Sequence, residues 1–142
     1  MTDSALDAFR TKFRVAELEV ARPPGWVLSV RPGQLTLGAM VLSVESGAQD
    51  LAELDAAAGA GLAEGLGLAE RLAREVYGAV RINALCLMMQ DPVVHFHILP
   101  RYDRAVERHG RLWQDSDWPA PPTIRPASDP DEILWAVRND LS

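Results

Sequence analysis

Basic side chains are the minority here: 14 lysines and arginines against 20 aspartates and glutamates leave a net charge of −6. No global basic field draws in a nucleic-acid polymer or an anionic membrane, so any anionic ligand has to be held by local positive groups. Cysteine is nearly absent. The single Cys86 excludes an internal disulfide and, inside an apolar run, reads as a small core residue. There is no run of roughly eighteen apolar residues, and the opening MTDSALDAFR carries no apolar signal segment. A cytoplasmic protein that does not span a membrane is expected. No internal repeat or low-complexity linker divides the 142 residues, which suit one domain with its own core. That core is expected at about 9–111, followed by a C-terminal arm over 112–142.

Against these absences stand clear periodic segments. Ser4 to about Lys12 has helical spacing, with Phe9 and Phe13 on one stripe. Residues 15–20, 26–30 and 35–44 read as strands, broken by Arg22-Pro23-Pro24-Gly25 and Arg31-Pro32-Gly33-Gln34. Gly38 marks a bulge or a close approach. From Leu51 the apolar residues step by three and four to Val76, a long helix with Asp55 as cap and Gly78 as terminator. Its alanines and glycines allow it to lie close to a sheet. Two further apolar runs, 82–89 and 93–99, flank the turn Gln90-Asp91-Pro92 and read as adjacent antiparallel strands. On them Met88 and Met89 are expected as core. After Arg101 an irregular arm carries Trp113 and Trp118, either sealing the structure or walling a pocket, with His109 on the surface. Asp129 and Pro130 start a last short helix. The layout is α+β, with the long helix on one sheet face and short helices at the termini.

In a strand alternate residues share a face, so Val93, His95, His97 and Leu99 point together. Three readings of the two histidines compete. They are buried imidazoles bonded to backbone, two ligands of a metal, or a nucleophile with its assisting donor. The metal reading lacks a nearby carboxylate and third imidazole, because Asp103 and Glu107 follow the strand among arginines. For the third reading, a neutral imidazole is a good nucleophile near pH 7, and Asn83, Gln90 and Arg101 supply groups that hold phosphate oxygens.

Val93-Val94-His95-Phe96-His97-Ile98-Leu99 resembles the histidine-triad (HIT) motif, His-φ-His-φ-His-φ-φ with φ apolar, Val93 standing at the first histidine. The segment 26–38, Ile82-Asn83, 87–89, Asp91-Pro92, Pro100-Arg101-Tyr102 and Asp117-Trp118-Pro119 are similar to one bacterial branch, that of diadenosine polyphosphate hydrolases. The resemblance implies a five-stranded antiparallel sheet per subunit and a homodimer with the sheets joined. It also implies hydrolysis or transfer of a nucleoside monophosphate from dinucleoside polyphosphates or related nucleotides. His95 matches the nucleophile and His97 the third histidine. Asn83, Gln90, Arg101, Arg31 and Gln34 fall at or near substrate-binding positions. The resemblance implies no metal ligand set, and Mg²⁺ enters only with a polyphosphate substrate. Loss of the first histidine leaves a second possibility, a nucleotide-binding protein that is catalytically weak or silent.

Overall fold

The computed structural model describes residues 4–142. Its elements are α1 (Ser4–Lys12), β1 (Glu19–Ala21), β2 (Trp26–Val30), β3 (Met40–Val44), α2 (Ala56–Tyr77), β4 (Arg81–Leu85), β5 (His95–Arg101), β6 (Val106–Arg108), β7 (Arg111–Trp113) and α3 (Asp131–Leu141). A short 3₁₀ turn, Leu51–Glu53, precedes α2. The main sheet is antiparallel, in the order β1-β2-β3-β5-β4. This is the expected α+β architecture with five sheet strands, one long helix and short terminal helices.

Helix α2 forms where its stripe and caps predict. Asp55 accepts the Ala58 N–H at 2.8 Å, and Gly78 ends the helix in the left-handed region at φ 72°. Its glycines permit contact with the sheet layer. A Cβ built on Gly61 would lie 1.8 Å from the Pro24 carbonyl oxygen, and one on Gly65 would lie 2.9 Å from the Leu42 side chain. The facing sheet residues Trp26, Leu28 and Leu42 are fully buried, and the Trp26 indole donates to the Ala58 carbonyl. The opposite sheet face carries His95 and His97 and is covered in part by Phe9 and Phe13.

Several boundaries differ from the sequence reading, each for a local reason. After α1 the chain turns sharply: Arg14 is left-handed at φ 53° and the Val15 N–H returns to the Arg10 carbonyl at 3.0 Å. Residues 15–18 are therefore turn, and the strand begins at Glu19. The strand expected from Leu35 starts only at Met40. Before it, the Gln34 amide donates to the Arg31 and Ala39 carbonyls at 2.9 and 2.8 Å, and its oxygen accepts Gly38 N–H at 2.9 Å. That bracket folds 31–39 into a loop. Gly38 is the predicted close approach, at φ 83° with the Tyr77 ring 2.9 Å from where a Cβ would stand.

The run 82–89 leaves the sheet after Leu85. Met88 is left-handed at φ 51° and off the strand, although it packs partly buried against the core, whereas Met89 is 83% exposed and is not core. The stretch after Arg101 contains a hairpin the apolar pattern does not reveal, and it straddles the expected boundary at 111/112. β6 and β7 pair through a His109-Gly110 turn with φ 52° and 75°, the primed type that tight hairpins use. His109 is not a plain surface residue, since its Nε2 meets Asp140 of α3 at 2.5 Å. Asp129 lies before α3 and binds Gln34 N–H and Arg111 instead of capping it. Among the described residues no helix is long and apolar enough to cross a membrane.

Candidate active site

Strand β5 is an inner strand, paired with β3 and β4, and it carries both imidazoles on one face. Their ring centres are 5.0 Å apart and nearly perpendicular, at 83°. Phe9 and Phe13 pack on His95 at 5.0 and 5.6 Å between centres. Both histidines are largely buried, at 3% and 7% exposure, yet both border a cavity of about 420 Å³. That volume suits a small ligand.

The hydrogen bonds give the two rings opposite roles. His95 Nδ1 lies 2.6 Å from the Val93 carbonyl oxygen. A carbonyl only accepts, so Nδ1 carries the proton and the lone pair stands on Nε2. His97 Nδ1 instead accepts from Arg31 Nε at 3.2 Å, which puts the neutral ring's proton on Nε2. One ring thus has an unprotonated nitrogen and the other an N–H that remain outside these bonds. The peptide orienting His95 is fixed on its other side too, since Val94 N–H donates to the Ala48 carbonyl at 2.8 Å.

Burial holds both rings neutral. It lowers His95, against the opposing pull of the Val93 carbonyl, and takes His97 down to about 4, helped by the Arg31 charge. Unfolded imidazoles take up protons near pH 6.5, whereas the folded rings resist until lower pH. Unfolding therefore binds protons in this window, and stability is expected to fall as pH drops from about 6.5 to about 4. The slope is at most about 1.4 kcal/mol per pH unit for each ring. Urea unfolding at stepped pH, with His97→Gln as the comparison, checks this. A flat profile for the wild type contradicts it.

The cavity is bordered by Arg31, Gln90, His95 and His97 of the residues singled out in the sequence. The structure does not bring the other three there. Gln34 spends its amide on the 31–39 loop. Arg101 is fully engaged on buried Asp115 at 2.7 Å, on the Asn83 side-chain oxygen at 2.7 Å and on the Ala120 carbonyl at 2.8 Å. Asn83 is occupied by that contact. Trp118 lies by the Arg101 guanidinium and Trp113 is buried in the core, so neither borders the cavity. Sequence reasoning missed Lys12, Phe13 and Arg125, which do. The apolar stripe gave a signal for Phe13, but Arg125 sits in a proline-rich segment with no periodicity. Among the described residues, no group of three histidine, cysteine or acidic side chains could hold a metal.

No protein-family model matches this chain, and no curated protein is similar to it in sequence. Solved structures do match in shape. A HIT-like protein from Bartonella henselae, described as involved in cell-cycle regulation, superposes with a TM-score of 0.67 at 16% identity, covering 94% of this chain and 92% of that one. A histidine-triad protein from Sinorhizobium meliloti gives 0.68 at 16% identity, covering 87% and 86%. A hypothetical histidine-triad nucleotide-binding protein from Sulfolobus tokodaii gives 0.59 at 13% identity, covering 87% and 80%. At such identities the likeness defines a fold. This chain has the histidine-triad fold, α+β with a five-stranded antiparallel sheet that carries two imidazoles on an inner strand.

Proposed function

We propose that the chain is a nucleotidyl hydrolase or transferase of histidine-triad type, acting on dinucleoside polyphosphates or related nucleotides. The observation carrying this reading is the Val93 carbonyl on His95 Nδ1, which leaves the Nε2 lone pair for attack. In the first step Nε2 bonds to the α-phosphorus as the bond to the leaving-group oxygen breaks, and the electron pair departs on that oxygen. In the second step water attacks the same phosphorus, the P–N bond breaks back to Nε2, and a nucleoside monophosphate is released. His97 Nε2–H donates to a phosphate oxygen, and Arg31 supports that ring while adding positive charge nearby. Gln90 borders the leaving-group side. Mg²⁺ accompanies a polyphosphate substrate and needs no site on the protein. Release of AMP from diadenosine polyphosphates, with acid-quench detection of nucleotide bound to histidine, tests the reading.

A second reading has one observation in its favour. Val93, at the position matching the first triad histidine, is fully buried and apolar and offers no side-chain donor. Removing one such donor typically costs about 10² to 10³ in rate. A protein that binds nucleotide and turns it over slowly or not at all fits that loss. Its signature is nucleotide affinity without AMP release.

A homodimer is part of the proposal. β4 is an edge strand, and beyond it Leu87 and Met89 are 47% and 83% exposed. Unpaired edges and exposed apolar side chains favour pairing with a second copy. Light scattering is expected to give twice the chain mass, and Leu87→Glu with Met89→Glu to halve it. A monomeric wild type overturns this part.

A further inference from the structure

Three cationic side chains, Lys12, Arg31 and Arg125, border the cavity with one carboxylate, Asp91. Asp91 is already committed, since Lys12 holds it at 2.8 Å. The two guanidiniums face the same space, and among the described residues neither is paired with a carboxylate. Arg125 makes no ion pair or hydrogen bond among the described residues, and Arg31 uses Nε and Nη1 on His97 and the Gly33 carbonyl while its Nη2 stays unbonded. The Arg31 charge is disfavoured by burial and by Arg125. Like charges held together in a protein of net charge −6 call for an anion between them.

The segment bearing Arg125 is seated. The Asp129 N–H donates to the Pro32 carbonyl at 3.0 Å, and the Asp129 carboxylate accepts Gln34 N–H at 2.7 Å and Arg111 at 2.9 Å. At Gly33 a Cβ would stand 2.4 Å from the Ala127 carbonyl oxygen, so the strap lies against the loop that begins at Arg31. Depth orders the cations: Arg31 is buried beside His97, whereas Arg125 is exposed.

We propose that residues 124–129 form a strap along the cavity, and that its Arg125 holds the outer phosphates of a polyphosphate chain whose innermost phosphate lies beside His95. The inference rests on the nucleotide reading above and deepens it by assigning the contact with the outer phosphates to one side chain, Arg125. Asp129 is a positioning residue that acts through the strap. It also assigns a binding role to a residue outside the two-histidine strand.

Calorimetric titration of the full chain with AMP, ADP, ATP and inorganic tripolyphosphate tests it. Arg125→Ala is expected to weaken ATP and tripolyphosphate about tenfold while leaving AMP within about twofold. Arg125→Lys should recover part of the loss, and Asp129→Ala should reproduce part of it with helix content unchanged. An equal loss for AMP and ATP, or no loss for either, overturns the assignment. Tripolyphosphate binding that depends on Arg125, with no nucleotide bound, keeps the cationic strap and overturns the nucleotide reading. If neither nucleotide nor tripolyphosphate binds the wild type, both fall.

Discussion

His95→Ala is expected to reduce release of nucleoside monophosphate by about 10³-fold or more and to abolish the acid-quenched nucleotide bound to histidine. The imidazole is the nucleophile in the proposed reaction, and alanine supplies neither lone pair nor ring. Because His95 packs on Phe9 and Phe13, the alanine variant also opens space in the core. His95→Gln keeps more of that volume and serves as the control for folding. If circular dichroism stays native in either variant and the rate equals that of the wild type, the covalent route is wrong. His97→Ala is a graded companion. It removes one donor to the phosphate, so a loss of about 10² is expected with the histidine-bound nucleotide still detectable.

The second large effect concerns folding. Arg101 and Asp115 form an ion pair with side-chain exposures of only 2% and 3%. Arg101→Ala leaves the buried carboxylate of Asp115 without a cation, held among the described residues only by the Tyr102 N–H, and removes the Arg101 contacts of the Asn83 oxygen and the Ala120 carbonyl. A loss of about 3–5 kcal/mol is expected from breaking one side of such a pair. For a chain of this size that corresponds to roughly 10–20 °C in Tm. Replacing both partners, as Arg101→Leu with Asp115→Leu, should cost much less than the sum of the single changes, since no buried charge is then left alone. The measurement also separates two roles for Arg101. A phosphate ligand would lose affinity at little expense in Tm, whereas the observed contacts require the reverse.

Much of the fold is legible in the sequence where one local rule acts alone. Trp26–Val30 is a strand because an apolar run lies between a Pro-Pro-Gly break and an Arg-Pro-Gly turn. Helix α2 is bounded by Asp55 and Gly78 because capping is a property of a few neighbouring residues. The histidine pair is legible for the same reason: alternation alone puts His95 and His97 on one face. What the sequence hides are contacts that no periodicity or cap pattern marks. The Gln34 amide closes its loop on Arg31, Gly38 and Ala39, all within five residues, yet glutamine there carries no turn signature, and nothing near Arg101 says that Asp115 returns to meet it. β6 and β7 escape notice because Val106-Glu107-Arg108 and Arg111-Leu112-Trp113 alternate too briefly and carry too much charge. Arg125 is the extreme case, placed by where an irregular segment comes to rest.

The contact that aims the His95 ring comes from main chain. Every amino acid carries the same carbonyl, so codon 93 can drift among buried apolar residues without turning the imidazole, and valine there need not disarm its neighbour. Heritable damage to the ring's aim would instead come from insertions or deletions near Ala48, which would let the 93–94 amide plane swivel.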